Sequence, residues 1–336
     1  MYDQPAFKNS SKVQRIVQLD AQKCRKLSCH GRLVFTDMSF AGGSLPAGQN
    51  FCLYIEVRMF TCSSSGIMKR VLMSRPTYLQ AAPINEIAKK WSSTRLDCEK
   101  MEKEHQLMVE AYTKNGVKVE FLEPDAQRPN SVFSRDFGLC VREGYILGNF
   151  RESIRFKEKE AYKNKMKELN VPLIAEVKDG FFEGGDFTYL DAETLAIGQA
   201  ARSDEKGVNF IRKALEPYGY KVICVPCHPK YLHFDLVFNM VDTKLAVACS
   251  PALPQDFLNL VKNKGIELIE VSEESVFMHG CNLQSIGNKR VLCLKQNAAV
   301  NEKLAERGYT IIEVDITETL KAGGGPHCMT FPLERE

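Results

Sequence analysis

The residue types with the greatest chemical reach share a rhythm along the chain. Asp136, Glu183, His233 with Asp235, Cys281 and Cys328 follow one another at spacings of about 47–50 residues. Cys328 ends the run Gly-Gly-Gly-Pro-His-Cys, where glycines let the backbone approach a neighbour closely. A thiol becomes a nucleophile on ionisation, but a free pKa of about 8.5 leaves it mostly protonated at neutral pH, so it needs an adjacent base or cation. An imidazole beside it can serve as general acid and base, a role typically worth ~10²–10⁴-fold. Carboxylates converging on the same place would repel an anionic substrate and raise the thiol pKa. They fit a substrate that is itself a planar cation, because a guanidinium offers carboxylates a bidentate fork of donors.

The elements that would position these residues form a repeat of strand, strand, helix, strand. Hairpins are expected over 131–150, 181–199, 233–249 and 281–294, each followed by a helix (152–170, 205–218, 254–264, 301–307) and a further strand (171–177, 221–225, 266–271, 309–314). The segment Glu205–Tyr218 shows the helical spacing in Val208, Ile211 and Leu215. A last strand, 327–333, has its companions at the other end: strand 70–74, a long helix over 84–115 and strand 117–122. A period of this length is the signature of a closed array. The fold expected is therefore α/β: a five-bladed α/β propeller of pseudo-fivefold ββαβ units, closed by the N- and C-terminal strands so that no sheet edge is left open. A doubly wound sheet fits less well, because each helix follows a hairpin rather than a single strand. In a closed array, residues at one phase of the repeat converge on one end of the axis. The chemistry-bearing residues are expected on the first strand of each unit.

Bulk properties bound the alternatives. A chain of 336 residues with 44% hydrophobic and 26% charged content can bury a large core. Residues 1–67 mix Ser, Gly and Lys without a sustained period and are taken as an N-terminal extension of unclear structure, with 68–336 as a single catalytic domain. The net charge of +3 carries no basic block that would point to nucleic acid or a membrane surface. No apolar run approaches the roughly 20 residues of a membrane span. The N-terminal MYDQPAFKNSSKVQ has no apolar core, so a cytoplasmic setting is expected. The 12 cysteines are read mainly as reduced, buried small hydrophobes. Cys224-Val-Pro-Cys227-His228 matches a haem-attachment or redox-dithiol pattern, but it follows a strand, where strand-end cysteines explain it. No zinc-type ligand spacing appears, and neither metal nor organic cofactor is expected. A homo-oligomer is compatible with the sequence.

The runs PNSVFSRDFG, FFEGGD, LHFDLVFN and GGGPHCMT, in this order over residues 69–333, resemble the guanidino-group-modifying superfamily. Its members include arginine deiminases, dimethylarginine dimethylaminohydrolases and arginine:glycine amidinotransferases. The resemblance implies the five-bladed fold already read from the repeat. It implies Cys328 as nucleophile, His233 as general acid and base, and Glu183 as its partner or as a guanidinium ligand. Asp136 and Asp235 would grip the guanidinium, and Asn130, Arg155 and Arg202 the substrate's α-carboxylate. The implied reaction is hydrolysis of the guanidinium of L-arginine or N-methylated arginine through a covalent Cys thiouronium, giving citrulline plus ammonia or a methylated amine. The pairs Arg135-Asp136 and His233-Phe234-Asp235 resemble the deiminase pattern, while the absence of an extra helical domain resembles the dimethylarginine hydrolases. Glu183, where amidinotransferases usually carry Asp, weighs against the alternative of amidino transfer to an amine such as glycine. A non-catalytic binding protein on the same fold has no need of these residues in phase. Asp186 is read as a turn cap or pocket acid, Cys281 as a pocket-wall or buried residue, and His228, His279 and His327 as structural or exposed, with His327 adjoining the nucleophile and able to line the pocket.

Overall fold

The computed structural model describes residues 60, 61 and 63–336, together with the short backbone segments 32–33 and 55–56. The expected extension over residues 1–67 therefore lies largely outside the described residues. Met1–Met59 cluster as one unit, in which strands β1 (Arg32–Leu33) and β2 (Ile55–Glu56) pair antiparallel. Phe60–Glu336 form the other.

Five three-stranded sheets make up the larger unit, and each repeats one pattern: the first two strands antiparallel, the second and third parallel. Strands β5 (Gly138–Val141), β6 (Gly144–Leu147) and β7 (Leu173–Glu176) form one sheet. The next contain β8 (Phe187–Tyr189), β9 (Thr194–Gln199) and β10 (Lys221–Pro226), then β11 (Phe238–Asp242), β12 (Leu245–Ala248) and β13 (Glu267–Glu270). A fourth holds β14 (Gln284–Gly287), β15 (Arg290–Leu294) and β16 (Thr310–Val314). The fifth joins both ends of the unit: β17 (Phe331–Arg335) runs antiparallel to β3 (Met68–Ser74), which runs parallel to β4 (Lys118–Leu122).

A parallel pair needs a crossover, and helices supply it. These are α3 (Phe156–Glu168), α4 (Glu205–Leu215), α5 (Gln255–Asn263) and α7 (Ala298–Glu306), each between the second and third strands of its sheet. In α4 the buried Val208, Ile211 and Leu215 form the stripe expected from their spacing. Two further short helices, α6 (Glu273–Phe277) and α8 (Glu318–Lys321), interrupt the pattern.

Two expectations need correction. The single long helix over 84–115 is two helices, α1 (Glu86–Trp91) and α2 (Cys98–Lys114). Asn85 caps the first by accepting from the backbone N–H groups of Ile87 and Ala88, and Asp97 caps the second by accepting from Lys100 N–H. The chemistry-bearing residues also do not lie within the first strands. Asp136, Glu183, His233 and Asp235 sit in or at the mouths of 3-10 turns (Ser134–Phe137, Gly184–Asp186, Phe234–Leu236) that lead into those strands. Cys328 occupies the corresponding turn before β17. The phase is as read, but the local geometry is a tight turn, which turns a side chain away from the pleated sheet. Among the described residues, no helix is long and apolar enough to cross a membrane.

Candidate active site

The turns that carry the candidate residues are stitched to one another. Arg135 N–H donates to Cys328 O at 2.9 Å, and Phe234 N–H donates to Asp186 Oδ1 at 2.8 Å. A side chain at Gly184 would stand 2.0 Å from Gly138 O, so only glycine lets these two turns touch. Asn239 Nδ2 donates to both Cys281 O and Leu283 O, and Asn282 bridges to the turn of Cys328. Asn130, Asp136, Arg155, Arg202, His233 and Cys328 line one cavity, with about 330 Å³ of empty space counted to its mouth. Glu183 and Asp235 adjoin it through His233 and Cys328. All eight residues are buried.

His233 is held between two acids. Its Nε2 lies 2.9 Å from Glu183 Oε2, and its Nδ1 lies 3.8 Å from Asp136 Oδ1. Burial pulls the imidazole toward its neutral form, but the Asp136 charge and the Glu183 hydrogen bond outweigh that and raise its pKa to about 9. Burial favours a neutral Glu183, yet the His233 hydrogen bond and the Arg202 charge hold its pKa down at about 2. The resting pair is therefore imidazolium and carboxylate. Arg151 N–H donates to Glu183 Oε1 at 3.1 Å and Arg202 Nη1 approaches it at 3.5 Å. Gly185 seats the ring: a Cβ there would lie 2.6 Å from His233 Nδ1.

Each of the other two acids has one oxygen committed and one without a hydrogen-bond partner. Asp136 Oδ2 accepts from Arg155 Nη1 at 2.5 Å, while its Oδ1 has no hydrogen-bond donor. Burial raises the Asp136 pKa against the opposing charges of His233 and Arg155. Asp235 Oδ2 accepts from His327 Nδ1 at 2.7 Å, while its Oδ1 has no partner. Burial works against the Asp235 carboxylate too, but the His327 bond and nearby cations bring its pKa below the ordinary value. Burial and the Arg135 charge keep His327 neutral, with a pKa of about 4, so its Nδ1 proton is the one that points at Asp235. His327, read as structural or exposed but able to line the pocket, is buried and hydrogen-bonded to an acid beside the thiol.

Cys328 Sγ lies 4.0 Å from Asp235 Oδ2 and 3.0 Å from Asn282 Nδ2. Burial, then the charges of Asp235 and Asp136, push the thiol pKa well above its usual value, against the hydrogen bonds of Asn282 and Gly325. In the unliganded site the sulphur is a thiol, and a cation placed near the two acids would offset their part of that rise.

The three residues expected at a carboxylate differ in how committed they are. Asn130 Oδ1 has no partner. Arg155 Nε and Nη2 bond Glu158, Nη2 also reaches Phe133 O at 3.0 Å, and Nη1 donates to Asp136 Oδ2, so each of its nitrogens already has a protein acceptor. Glu158, fully buried and pushed to about 7 chiefly by burial, was not foreseen; it precedes no motif and only its contact with Arg155 marks it. Arg202 Nη2 donates to Ile84 O at 2.5 Å. Asp186 is a buried strut that accepts from Ser203 Oγ and Phe234 N–H, and burial raises its pKa to about 7. Cys281 faces an apolar core. Its neighbour Asn282 was missed by sequence reasoning, although the repeat's phase falls within one residue of it.

Asp136, Glu183 and His233 also offer atoms close enough to share a metal ion. Arg155 Nη1 already stands 2.5 Å from Asp136 Oδ2 and 3.8 Å from Glu183 Oε2, and His233 bonds Glu183 directly. The donor set is therefore charge-compensated from within, and it fits a metal poorly.

The family model described as N,N dimethylarginine dimethylhydrolase, eukaryotic, matches residues 75–335. The uncharacterised protein YkgA of Bacillus subtilis is 32% identical over 271 residues, covering 80% of this chain and 93% of that protein. An arginine deiminase of Bacillus cytotoxicus is 27% identical over 263 residues, covering 64% of this chain and 63% of that enzyme. The product-bound N-terminal domain of ArgZ, an arginine dihydrolase of the cyanobacterial ornithine-ammonia cycle, matches with a TM-score of 0.69 at 25% identity, covering 78% of this chain and 96% of that chain.

Proposed function

The chain belongs to the N,N dimethylarginine dimethylhydrolase family of the guanidino-group-modifying superfamily, and from that premise we propose that it hydrolyses the guanidinium group of L-arginine or N-methylated arginine. The products are citrulline and ammonia or a methylated amine. The observation that carries this reading is the pair of buried carboxylate oxygens that accept no hydrogen bond, Asp136 Oδ1 and Asp235 Oδ1. Two fixed carboxylates, each with an oxygen that accepts no hydrogen bond, beside a thiol that burial and then their charges keep protonated, suit a planar cation bound against sulphur.

In the proposed reaction, the guanidinium sits between Asp136 and Asp235. Its charge favours loss of the Cys328 proton to solvent. The thiolate adds to the guanidinium carbon, and His233, protonated at rest, donates its proton to the departing amine. The neutral His233 then takes a proton from the water that attacks the thiouronium carbon. Glu183 holds the ring through both transfers. Asn130, Arg155 and Arg202 are proposed to bind the substrate's α-carboxylate; their place on the same cavity wall supports it. We also infer that the five sheets close as blades around an axis in a catalytic domain of residues 68–336, which the turn-to-turn hydrogen bonds support. Neither metal nor organic cofactor takes part in this reaction. The eight described cysteines, all free thiols, are in keeping with a reducing cytoplasmic setting.

The test is an assay of arginine, dimethylarginine and agmatine side by side, with ammonia, dimethylamine and ureido product all measured, repeated with glycine present. Ureido product from arginine or its methylated forms supports the reading. Amidino transfer to glycine, or turnover of agmatine equal to that of arginine, counts against the hydrolysis or against the carboxylate-binding roles respectively.

A further inference from the structure

Asn282 touches the sulphur of Cys328, and its geometry fixes which of its atoms does so. Its Oδ1 accepts the backbone N–H of His327 at 2.9 Å. A backbone N–H can only donate, so that atom must be the oxygen, and the atom 3.0 Å from Cys328 Sγ must be the amide nitrogen. The side chain is fully buried, at 0% exposure. Asn239 Nδ2 pins the backbone on both sides of it, at Cys281 O (2.9 Å) and Leu283 O (2.8 Å). A Cβ at Gly325 would stand 2.8 Å from Asn282 Oδ1, so the glycine run closes on the amide from the other side. The amide is thus clamped with its N–H directed at sulphur; the Gly325 backbone also bonds the sulphur, while Asp235 Oδ2 at 4.0 Å is an acceptor that disfavours its charge.

We propose that Asn282 is a further catalytic residue, whose side-chain N–H stabilises negative charge on the Cys328 sulphur. This inference rests on the reading of Cys328 as nucleophile. In the first half-reaction a sulphur lone pair forms the S–C bond and the C=N π pair moves onto nitrogen. The adduct then loses the amine, which leaves with the C–N bonding pair and the His233 proton. Sulphur carries no full charge in the thiouronium, and the amide bond to it is weakest there. In the second half, water oxygen forms the C–O bond and gives one proton to His233. The C–S pair then returns to sulphur as the carbonyl forms, and the remaining hydroxyl proton passes to solvent. The amide therefore assists twice, where the thiolate attacks and where it leaves.

The test uses the full chain and reads alkylation of Cys328 by iodoacetamide from pH 7 to 10, followed on the Cys328 peptide by mass spectrometry, beside steady-state kinetics. Loss of one hydrogen bond to a charged group predicts that Asn282→Ala lowers the thiolate fraction about tenfold, equivalent to a rise of about one unit in the thiol pKa. Asn282→Asp separates this role from a structural one. It keeps an acceptor for His327 N–H but turns a carboxylate oxygen toward sulphur, so the inference predicts an alkylation rate at least as low as that of Asn282→Ala. A native-like Asn282→Asp overturns the inference, because an anchor for the His327 turn is then all that the residue supplies. Alkylation unchanged in both variants overturns it too. Asn282→Ser, smaller and polar, replaces Asn282→Ala if the latter melts below the assay temperature, with the same outcomes. An Asn282-dependent alkylation profile in a chain that hydrolyses none of the guanidino compounds refutes the proposed function and leaves the amide–thiolate contact standing. Hydrolysis with unaffected profiles refutes this inference alone.

Discussion

His233 Nε2 lies 2.9 Å from Glu183 Oε2 in a site where both side chains are shut off from solvent. The two pKa values move in opposite directions, up to about 9 for the imidazole and down to about 2 for the carboxylate, so the pair is ionised across the neutral range. The stability linked to His233, whose ordinary value is 6.5, is fully present below that pH and is lost as pH rises through about 9. That linked to Glu183, whose ordinary value is 4.5, is present above that pH and is lost as pH falls through about 2. Glu183→Gln is expected to destabilise the chain most between these ordinary values, with the difference from the unsubstituted chain shrinking on either side. Urea midpoints measured across the pH range check this. The same variant is expected to lower kcat on the order of 10²-fold or more, because the imidazolium loses the partner that orients it.

Asp235 opposes the thiolate and is proposed to hold the cation that creates it. Asp235→Asn should therefore have two opposite signatures. Alkylation of Cys328 at neutral pH should quicken, because a charge that raises the thiol pKa is gone. Guanidine hydrolysis should fall, with most of the change in KM, because one of the two carboxylates proposed to hold the guanidinium is gone. Parallel loss of both readouts would indicate that the residue only maintains the turn.

Gly185 offers a test of ring placement without removing any charged group. Gly185→Ala sets a methyl 2.6 Å from His233 Nδ1 and 3.1 Å from Asp136 Oδ1. Overpacking of this kind costs about 1–3 kcal/mol. A stability loss of that size leaves most molecules folded, so a fall in kcat of about 10²-fold, as for a displaced general acid, should exceed what unfolding accounts for. Thermal melting and kcat, measured together, separate the two.

Arg155 and Glu158 form a buried pair whose members protect each other, Arg155 Nη2 lying 2.8 Å from Glu158 Oε2. Arg155→Ala should destabilise by about 3–5 kcal/mol, because a carboxylate at 0% exposure is left without its cation. Adding Glu158→Gln should recover part of that stability but none of the activity, since Asp136 still lacks the guanidinium that fixes its Oδ2. A denaturant double-mutant cycle, with activity followed in each variant, checks both statements.

The repeat was legible because its signals are local. Turn residues such as Gly144 and Gly287, with positive φ, and helical spacing such as Val208, Ile211 and Leu215, each act over a few residues. The common phase of Asp136, Glu183, His233 and Cys328 could be counted directly. What could not be read depends on contacts distant in sequence. The break between α1 and α2 is set at Asp97, the N-cap of α2, whose backbone N–H donates to Glu318 Oε2 from far along the chain, inside a segment that otherwise carries a helical pattern. The tight turns holding the acids are stabilised by neighbours such as Ser203 and Arg155, which no spacing rule connects to them. Asn282 stands one residue after Cys281, and a neutral amide beside a cysteine draws less notice than the thiol, although it is the amide that reaches the sulphur.

The central claim is that a guanidino carbon becomes covalently attached to Cys328 during turnover. Acid quenching of the enzyme mixed with arginine or a methylated arginine, followed by mass analysis of the Cys328 peptide, tests it most directly. The account predicts a transient adduct on that peptide, equal in mass to the substrate less its departing amine. It should be absent from Cys328→Ser, whose turnover should fall on the order of 10⁴-fold or more. Ureido product formed without such an adduct, and still formed by Cys328→Ser at a comparable rate, would contradict it.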